Sequence, residues 1–199
     1  MKDIIFDLGG VLIDWNPRYL YKKVFPTEAE MEWFLTNVCT PQWNTQQDAG
    51  RSFEEGIELL KRKYPEYTFA INFYWTRWAE MLGGEIGGSV EILRNLKTRG
   101  YHIYALSNWS AETFPIAQER YGFLQAFDGR VISGEEKLVK PDPLIYTRLL
   151  QKYNLHAPNC VFIDDNSANI SKAADLGFET ILFTDPEALR RTLISRSIL

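Results

Sequence analysis

The chain has few of the residues on which many active sites are built. Only two histidines occur in 199 residues, His102 and His156, far apart and without neighbouring ligand types. Zinc sites and histidine-based triads need several such groups converging, so both are disfavoured. The two cysteines, Cys39 and Cys160, share no paired spacing, and Cys160 lies inside the apolar run Cys160-Val161-Phe162-Ile163. Both read as reduced thiols, which suits the cytosol and argues against a disulfide framework. No long apolar run exists either. Asp3 and Asp7 interrupt the first one, so neither a signal peptide nor a membrane span is expected. A net charge of -4 lacks the basic excess of a nucleic-acid binder. The expectation is a cytoplasmic protein, monomer or homodimer, whose partner is a small molecule rather than nucleic acid or membrane.

What is present is an ordinary globular composition, 45% hydrophobic and 24% charged. The length allows one domain with a sizeable insertion, or two small domains. The first fourteen residues organise the rest. Ile4, Ile5 and Phe6 form a buried-strand run that ends at Asp7, followed by Leu8-Gly9-Gly10 and a second apolar run, Val11-Leu12-Ile13. A carboxylate is thereby delivered to a strand's C-terminal end, where ligands bind in open α/β sheets.

From Trp15 to about Glu85 the character changes to aromatic-rich helix. Thr27-x-x-Glu30 and Ser52-x-x-Glu55 read as capping boxes, because hydroxyl and carboxylate satisfy orphan amides reciprocally. Phe53, Ile57, Leu60 and Tyr64 share one helical face, and the stretch Phe69 to Leu82 also reads as helix. Gly83-Gly84 and Gly87-Gly88 read as a hinge, after which strands and helices alternate. Strands are expected at 101–106, 130–133, 160–163 and 180–183. Asp142-Pro143 and Asp185-Pro186 open helices as N-cap and first helical residue. The fold class is therefore α/β, a doubly wound parallel sheet built from 1–14 and 86–199, with 15–85 as a helical insert between them.

A parallel sheet would gather Asp7, Ser107 and the Asp164-Asp165 pair on one edge, since each follows its own apolar run. Adjacent acids beside a third repel unless a cation sits among them. Hard oxygen ligands without histidine or thiol indicate Mg²⁺. Ser107-Asn108 before a helix offers a hydroxyl and backbone amides that suit a phosphate, or equally an N-cap. Lys140, held before Pro141, can orient a nucleophilic carboxylate and neutralise phosphate charge; Lys137 is the competing lysine.

These four stretches resemble the haloacid-dehalogenase-like superfamily, across the whole chain. Phe6-Asp7-Leu8-Gly9-Gly10-Val11-Leu12 is similar to its first motif, Leu106-Ser107-Asn108 to its second, and Lys140-Pro141 to its third. Phe162-Ile163-Asp164-Asp165-Asn166 with Asn169 is similar to the fourth. Within the superfamily the chain most resembles the bacterial α-D-glucose-1-phosphate phosphatase group. The resemblance implies a Rossmann-like core with an inserted α-helical cap, Asp7 as a nucleophile that forms an aspartyl-phosphate, and Mg²⁺ held by Asp7, Asp165 and the Gly9 carbonyl, with Asp164 close by or bonded through water. It implies a sugar phosphate or another small phosphomonoester as substrate. Trp15, Trp43, Asn44 and Asp48 are the candidates for choosing it.

One departure stands out. Superfamily phosphatases usually carry a second Asp two residues after the nucleophile, as general acid and base, and here Gly9 stands there. General acid catalysis is worth about 10²- to 10⁴-fold, so something must compensate or turnover must be slow. A leaving group as acidic as an anomeric sugar oxygen would need less proton donation. Two rival readings stay open: a metal-free 2-haloacid dehalogenase that uses Asp7 on carbon, and a non-catalytic binding protein that lost the acid.

Overall fold

The computed structural model describes residues 2–199. In chain order it contains β1 (Asp3–Phe6), β2 (Ile13–Trp15), α1 (Arg18–Tyr21), α2 (Glu28–Asn37), α3 (Pro41–Asp48), α4 (Phe53–Lys63), α5 (Thr68–Thr76) and β3 (Leu82–Glu85). The second half contains α6 (Gly87–Thr98), β4 (Ile103–Ser107), α7 (Phe114–Arg120), β5 (Gly129–Ile132), α8 (Ser133–Glu136), α9 (Pro143–Tyr153), β6 (Cys160–Asp164), α10 (Ser167–Asp175), β7 (Glu179–Leu182) and α11 (Pro186–Ser195).

Five strands form one parallel sheet in the order β5-β4-β1-β6-β7. β1 is central, and Phe6 pairs with Ala105 on one side and Ile163 on the other. That register sets Asp7 between the C-terminal ends of β4 and β6, at the point where the strand order diverges and an open sheet leaves a crevice. Alternate residues face opposite layers. Ile4, Phe6, Ile103, Ala105, Val161 and Ile163 belong to one core, with Val90, Leu93 and Leu96 of α6 and Leu189 and Leu193 of α11. Ile5, Tyr104, Leu106, Val131 and Phe162 belong to the other, with Ile145, Tyr146 and Leu149 of α9. Burying each large apolar side chain contributes roughly 1.5–3 kcal/mol, which explains why β1, β4 and β6 at the centre of the sheet carry, Asp3 apart, no charged residue before their last position.

Helices α1 to α5 build their own aromatic packing, continuous with the first of those cores. Tyr21 lies 4.9 Å from Phe34 between ring centroids, and Trp43 meets Tyr74 edge-on at 4.9 Å. The Tyr21 hydroxyl, fully buried, donates to the Ala70 carbonyl at 3.0 Å. At Thr27 both halves of the capping box form; at Ser52 only the hydroxyl half does, accepting from the Glu55 amide. Both cysteines are buried and unpaired. No helix among the described residues is long and apolar enough to cross a membrane.

Two expectations fail around the insert's junction. The helix read over Phe69 to Leu82 stops at Thr76, and a single 3₁₀ turn over Trp78–Met81 leads into β3. The Gly83-Gly84 pair is part of that strand, which pairs antiparallel with β2, so the chain leaves for the insert and returns through one two-stranded ribbon. Ladder pairing overrides the helical side-chain pattern here, and Gly83 is needed because a Cβ there would lie 2.2 Å from the Asp14 carboxylate and 2.7 Å from the Tyr19 ring. α7 begins only at Phe114, since Pro115 is tolerated only in a first turn.

Gly134 braces the loop that follows β4. Its amide donates to the Trp109 carbonyl, and a Cβ would meet the Ala111 backbone nitrogen at 2.3 Å. Backbone cannot swing aside as a side chain can. Gly134→Ala should therefore destabilise by about 1–3 kcal/mol, while Gly122→Ala, whose Cβ would meet nothing within 4 Å, should be close to neutral. Paired thermal melts check this, and equal shifts would contradict it.

Candidate active site

Asp7 leaves β1 with its two carboxylate oxygens in different circumstances. Oδ1 accepts from its neighbour's amide, Leu8 N at 2.7 Å, and from Ser107 Oγ at 2.6 Å, and lies 3.1 Å from Lys140 Nζ. Among the described residues no donor reaches Oδ2, and Asp7 lines a cavity. One oxygen is fixed and the other is presented.

Lys140 lies beneath. Its ammonium is wholly buried and donates to the Leu106 carbonyl at 2.8 Å and Asp164 Oδ2 at 2.6 Å, besides its contact with Asp7. Three acceptors take the three N–H bonds of an ammonium, so Lys140 has none left for a phosphate and does not line the cavity. Its expected direct contact with phosphate is corrected: the ammonium meets Asp7, Asp164 and the Leu106 carbonyl instead. Lys137, the alternative, is exposed on the surface. Asp164, expected close to the metal, is fully buried and accepts from Lys140, from the Asn166 amide at 2.8 Å and from Asn169 Nδ2 at 3.1 Å on both oxygens, while remaining in the cluster of acids.

Asn108 grips the same lysine. Its side chain donates to the Lys140 carbonyl at 2.9 Å and accepts from the Lys140 amide at 2.8 Å, which uses its amide group to hold the loop rather than a phosphate. Gly10 has a φ of +77°, and a Cβ there would sit 2.3 Å from Asp165 Oδ2. The second glycine of the first motif therefore makes the room in which Asp165 stands.

The cavity holds about 240 Å³. Asp7, Gly9, Gly10, Ser107, Asn108 and Asp165 form its floor. The insert and its ribbon supply Trp15, Asn44, Asp48, Phe53 and Trp78, and the loop after β4 adds Trp109 and Thr113. Trp43 is not there. Its ring is buried against Tyr74 and Phe53, and Nε1 donates to the Gly56 carbonyl at 3.1 Å, so this candidate is a packing residue. Phe53 and Trp78, read from sequence as helix-core aromatics, line the cavity instead. No feature of their spacing distinguishes them from Trp43.

Carboxylate oxygens of Asp7, Asp164 and Asp165 lie within 4.8 Å of one another. Burial pushes Asp7 up to about 7 against the opposing pull of Lys140, with Asp164 adding to the rise. Burial and the Asp164 charge raise Asp165 in the same sense. Lys140 is held protonated: burial disfavours its charge, but Asp7 and Asp164 more than offset that. Asp48 is also pushed up to about 7, by burial first, with Asp7 adding and the Ser110 amide opposing. An excess of carboxylate over ammonium, with oxygen donors only, fits a hard divalent cation at the Asp7 and Asp165 face.

The haloacid dehalogenase-like hydrolase family model matches residues 1–177, and the chain belongs to that family. The chain is 26% identical over 186 residues to the sesquiterpene phosphatase astK of Aspergillus oryzae, covering 92% of this chain and 90% of that protein. It is 23% identical to the GMP/IMP nucleotidase YrfG of Escherichia coli, over 93% of this chain and 84% of that one. Among solved structures, an enzyme of the same family from Bacteroides thetaiotaomicron, crystallised with magnesium and inorganic phosphate, superposes with a TM-score of 0.72 at 21% identity. The match covers 93% of this chain and 95% of that one.

Raised carboxyl pKa values have a definite sign in stability. Asp7 and Asp48 ionise near 3.8 unfolded and about 7 folded. Their contribution is complete below the unfolded value and is lost as pH climbs through the folded one. Chelator-treated protein should therefore lose several degrees of Tm between about pH 5 and about pH 8, and Asp7→Asn should flatten the slope. A Tm that rises across this window would contradict the assignment.

Proposed function

We propose that the protein is a Mg²⁺-dependent phosphatase of small phosphomonoesters, with Asp7 as the nucleophile. The observation that carries this reading is the asymmetry of Asp7: Oδ1 tied to three donors, Oδ2 open to the cavity, with Asp165 beside it. In this reading Asp7, Asp165 and the Gly9 carbonyl hold the ion, and Asp164 stands behind them. When bound, the ion supplies the positive charge that lets these acids coexist and that offsets charge on the phosphoryl oxygens.

The chain's own groups do the rest. Lys140, Ser107 and the Leu8 amide aim Asp7, so that Oδ2 attacks phosphorus and the bond to the leaving oxygen breaks, leaving a phosphoryl group on Asp7. Water then attacks that phosphorus, and the Asp7 carboxylate departs. Ser107 stands at the floor, where phosphoryl oxygens would sit. Residues 15–85 act as a cap that selects the leaving group, through Trp15, Asn44 and Asp48 with Phe53 and Trp78.

For the substrate we favour a sugar phosphate, such as a hexose 1-phosphate. A cavity of about 240 Å³ is small for a drug-sized ligand, and its walls alternate aromatic faces with polar groups. The related proteins described above are named for chemically different phosphate esters, which accords with one floor serving many leaving groups. The dehalogenase alternative leaves Asp165 and the cluster of acids without a task. The loss-of-function alternative leaves the fixed Asp7 Oδ1 and the open Oδ2 unexplained.

Phosphate release from a panel of phosphomonoesters should require Mg²⁺ and stop with chelator. Asp7→Asn should cut turnover by at least about 10³-fold while the circular dichroism spectrum stays the same. A hexose 1-phosphate should be turned over faster than the corresponding 6-phosphate. Metal-independent halide release, or no phosphate from any ester, would overturn the reading.

A further inference from the structure

Transfer of a phosphoryl group to Asp7 leaves an alkoxide unless a proton reaches the departing oxygen. Gly9 supplies no side chain for this, and a Cβ built there meets nothing within 4 Å. The cavity has no histidine, cysteine, lysine or tyrosine in its lining, and its only ionisable groups are Asp7, Asp165 and Asp48. Asp7 and Asp165 belong to the cluster of acids on the floor, whereas Asp48 stands outside it, on the wall contributed by the insert. In-line displacement puts the leaving oxygen on the side of phosphorus away from Asp7, towards that wall.

Resting on the phosphatase reading above, we propose that Asp48 is the proton donor to the leaving oxygen, and the base that takes a proton from water in the second step. In the first step Asp7 Oδ2 forms a bond to phosphorus, and the P–O bond to the leaving group breaks with its electron pair going to that oxygen. The Asp48 proton moves to the same oxygen and the alcohol departs. In the second step water adds to phosphorus, its proton goes to the Asp48 carboxylate, and the bond between phosphorus and Asp7 breaks, so both carboxyls return to their starting states.

The local structure is built for such a group. Asp48 ends α3, where the helix dipole disfavours a negative charge, and no basic residue occupies that last turn. The nearby Arg51 is turned to Gln47 Oε1 and the Trp43 carbonyl instead. Asn44 Nδ2 donates to Asp48 Oδ2 at 3.0 Å, which orients the carboxyl, and Ser133 Oγ at the start of α8 donates to the Asp48 carbonyl at 2.6 Å, which ties its backbone to the sheet domain. Its elevated ionisation point, about 7, leaves a proton available near neutrality.

The test uses pre-steady-state kinetics with Mg²⁺ and excess substrate on two esters, p-nitrophenyl phosphate, whose leaving group needs little protonation, and a simple alkyl phosphate, whose leaving group needs it fully. Asp48→Asn should slow phosphoryl transfer from the alkyl ester by about 10²-fold or more, and from the aryl ester far less. With the aryl ester it should show a burst of about one p-nitrophenolate per enzyme before a slow steady state, because the second step lacks its base. Adding Gly9→Asp to Asp48→Asn should recover at least about tenfold on the alkyl ester, since that position opens beside Asp7 with space for a carboxyl. Equal losses on the two esters, no loss on either, or no recovery with Gly9→Asp would overturn the assignment. An inactive wild type would instead sink the phosphatase reading itself; an active one with uniform losses sinks only the role of Asp48.

Discussion

One buried ammonium holds the centre of this molecule. Lys140 lies under the sheet edge, its ammonium held by two carboxylates and a carbonyl. Removing one partner of a buried pair typically costs about 3–5 kcal/mol, because the other charge is stranded. Lys140, Asp7 and Asp164 are thus mutually dependent, and the ends of β1 and β6 and the loop between α8 and α9 that carry them are tied together. The arrangement also divides labour between the two acids. Asp164 gives both oxygens to the scaffold, while Asp7 gives one and keeps the other.

Around that centre, several contacts join the insert to the sheet domain. Ser133 holds the Asp48 carbonyl, Glu112 accepts from the Phe53 amide at 2.7 Å, and Arg120 donates to the Ala79 carbonyl at 3.1 Å. Each ends on a backbone group of the insert, reached by the side chain of Ser133, Glu112 or Arg120 from the sheet side, and only the Ser133 bridge fixes its group without ordering a long side chain.

How much of this was legible in the residues alone follows from which forces act locally. Asp7, Ser107, Asp164 and Asp165 were readable because each ends an apolar run, and parallel pairing sends strand ends to one edge. The partners that consume Lys140 and Asn108 were not readable. Whether a lysine meets a ligand or three protein oxygens depends on distances set by four separate segments. The insert was harder still: Trp43 and Trp78 sit in equally aromatic surroundings, and only the packing direction of α3 and of the turn before β3 separates a core residue from a cavity wall. Gly83-Gly84 misled for a related reason, since strand pairing with β2 is non-local and leaves no periodic trace in four residues.

The β2–β3 ribbon has a consequence for how such a chain can diversify. Because the excursion from the sheet domain begins and ends on paired neighbouring strands, its closure is settled at its base, and lengthening or rebuilding it leaves the register of the five parallel strands untouched. A new cavity wall can therefore be tried without disturbing Asp7 and the acids beside it. On the reading proposed above, a proton donor housed in the excursion would be inherited or exchanged together with the specificity it serves.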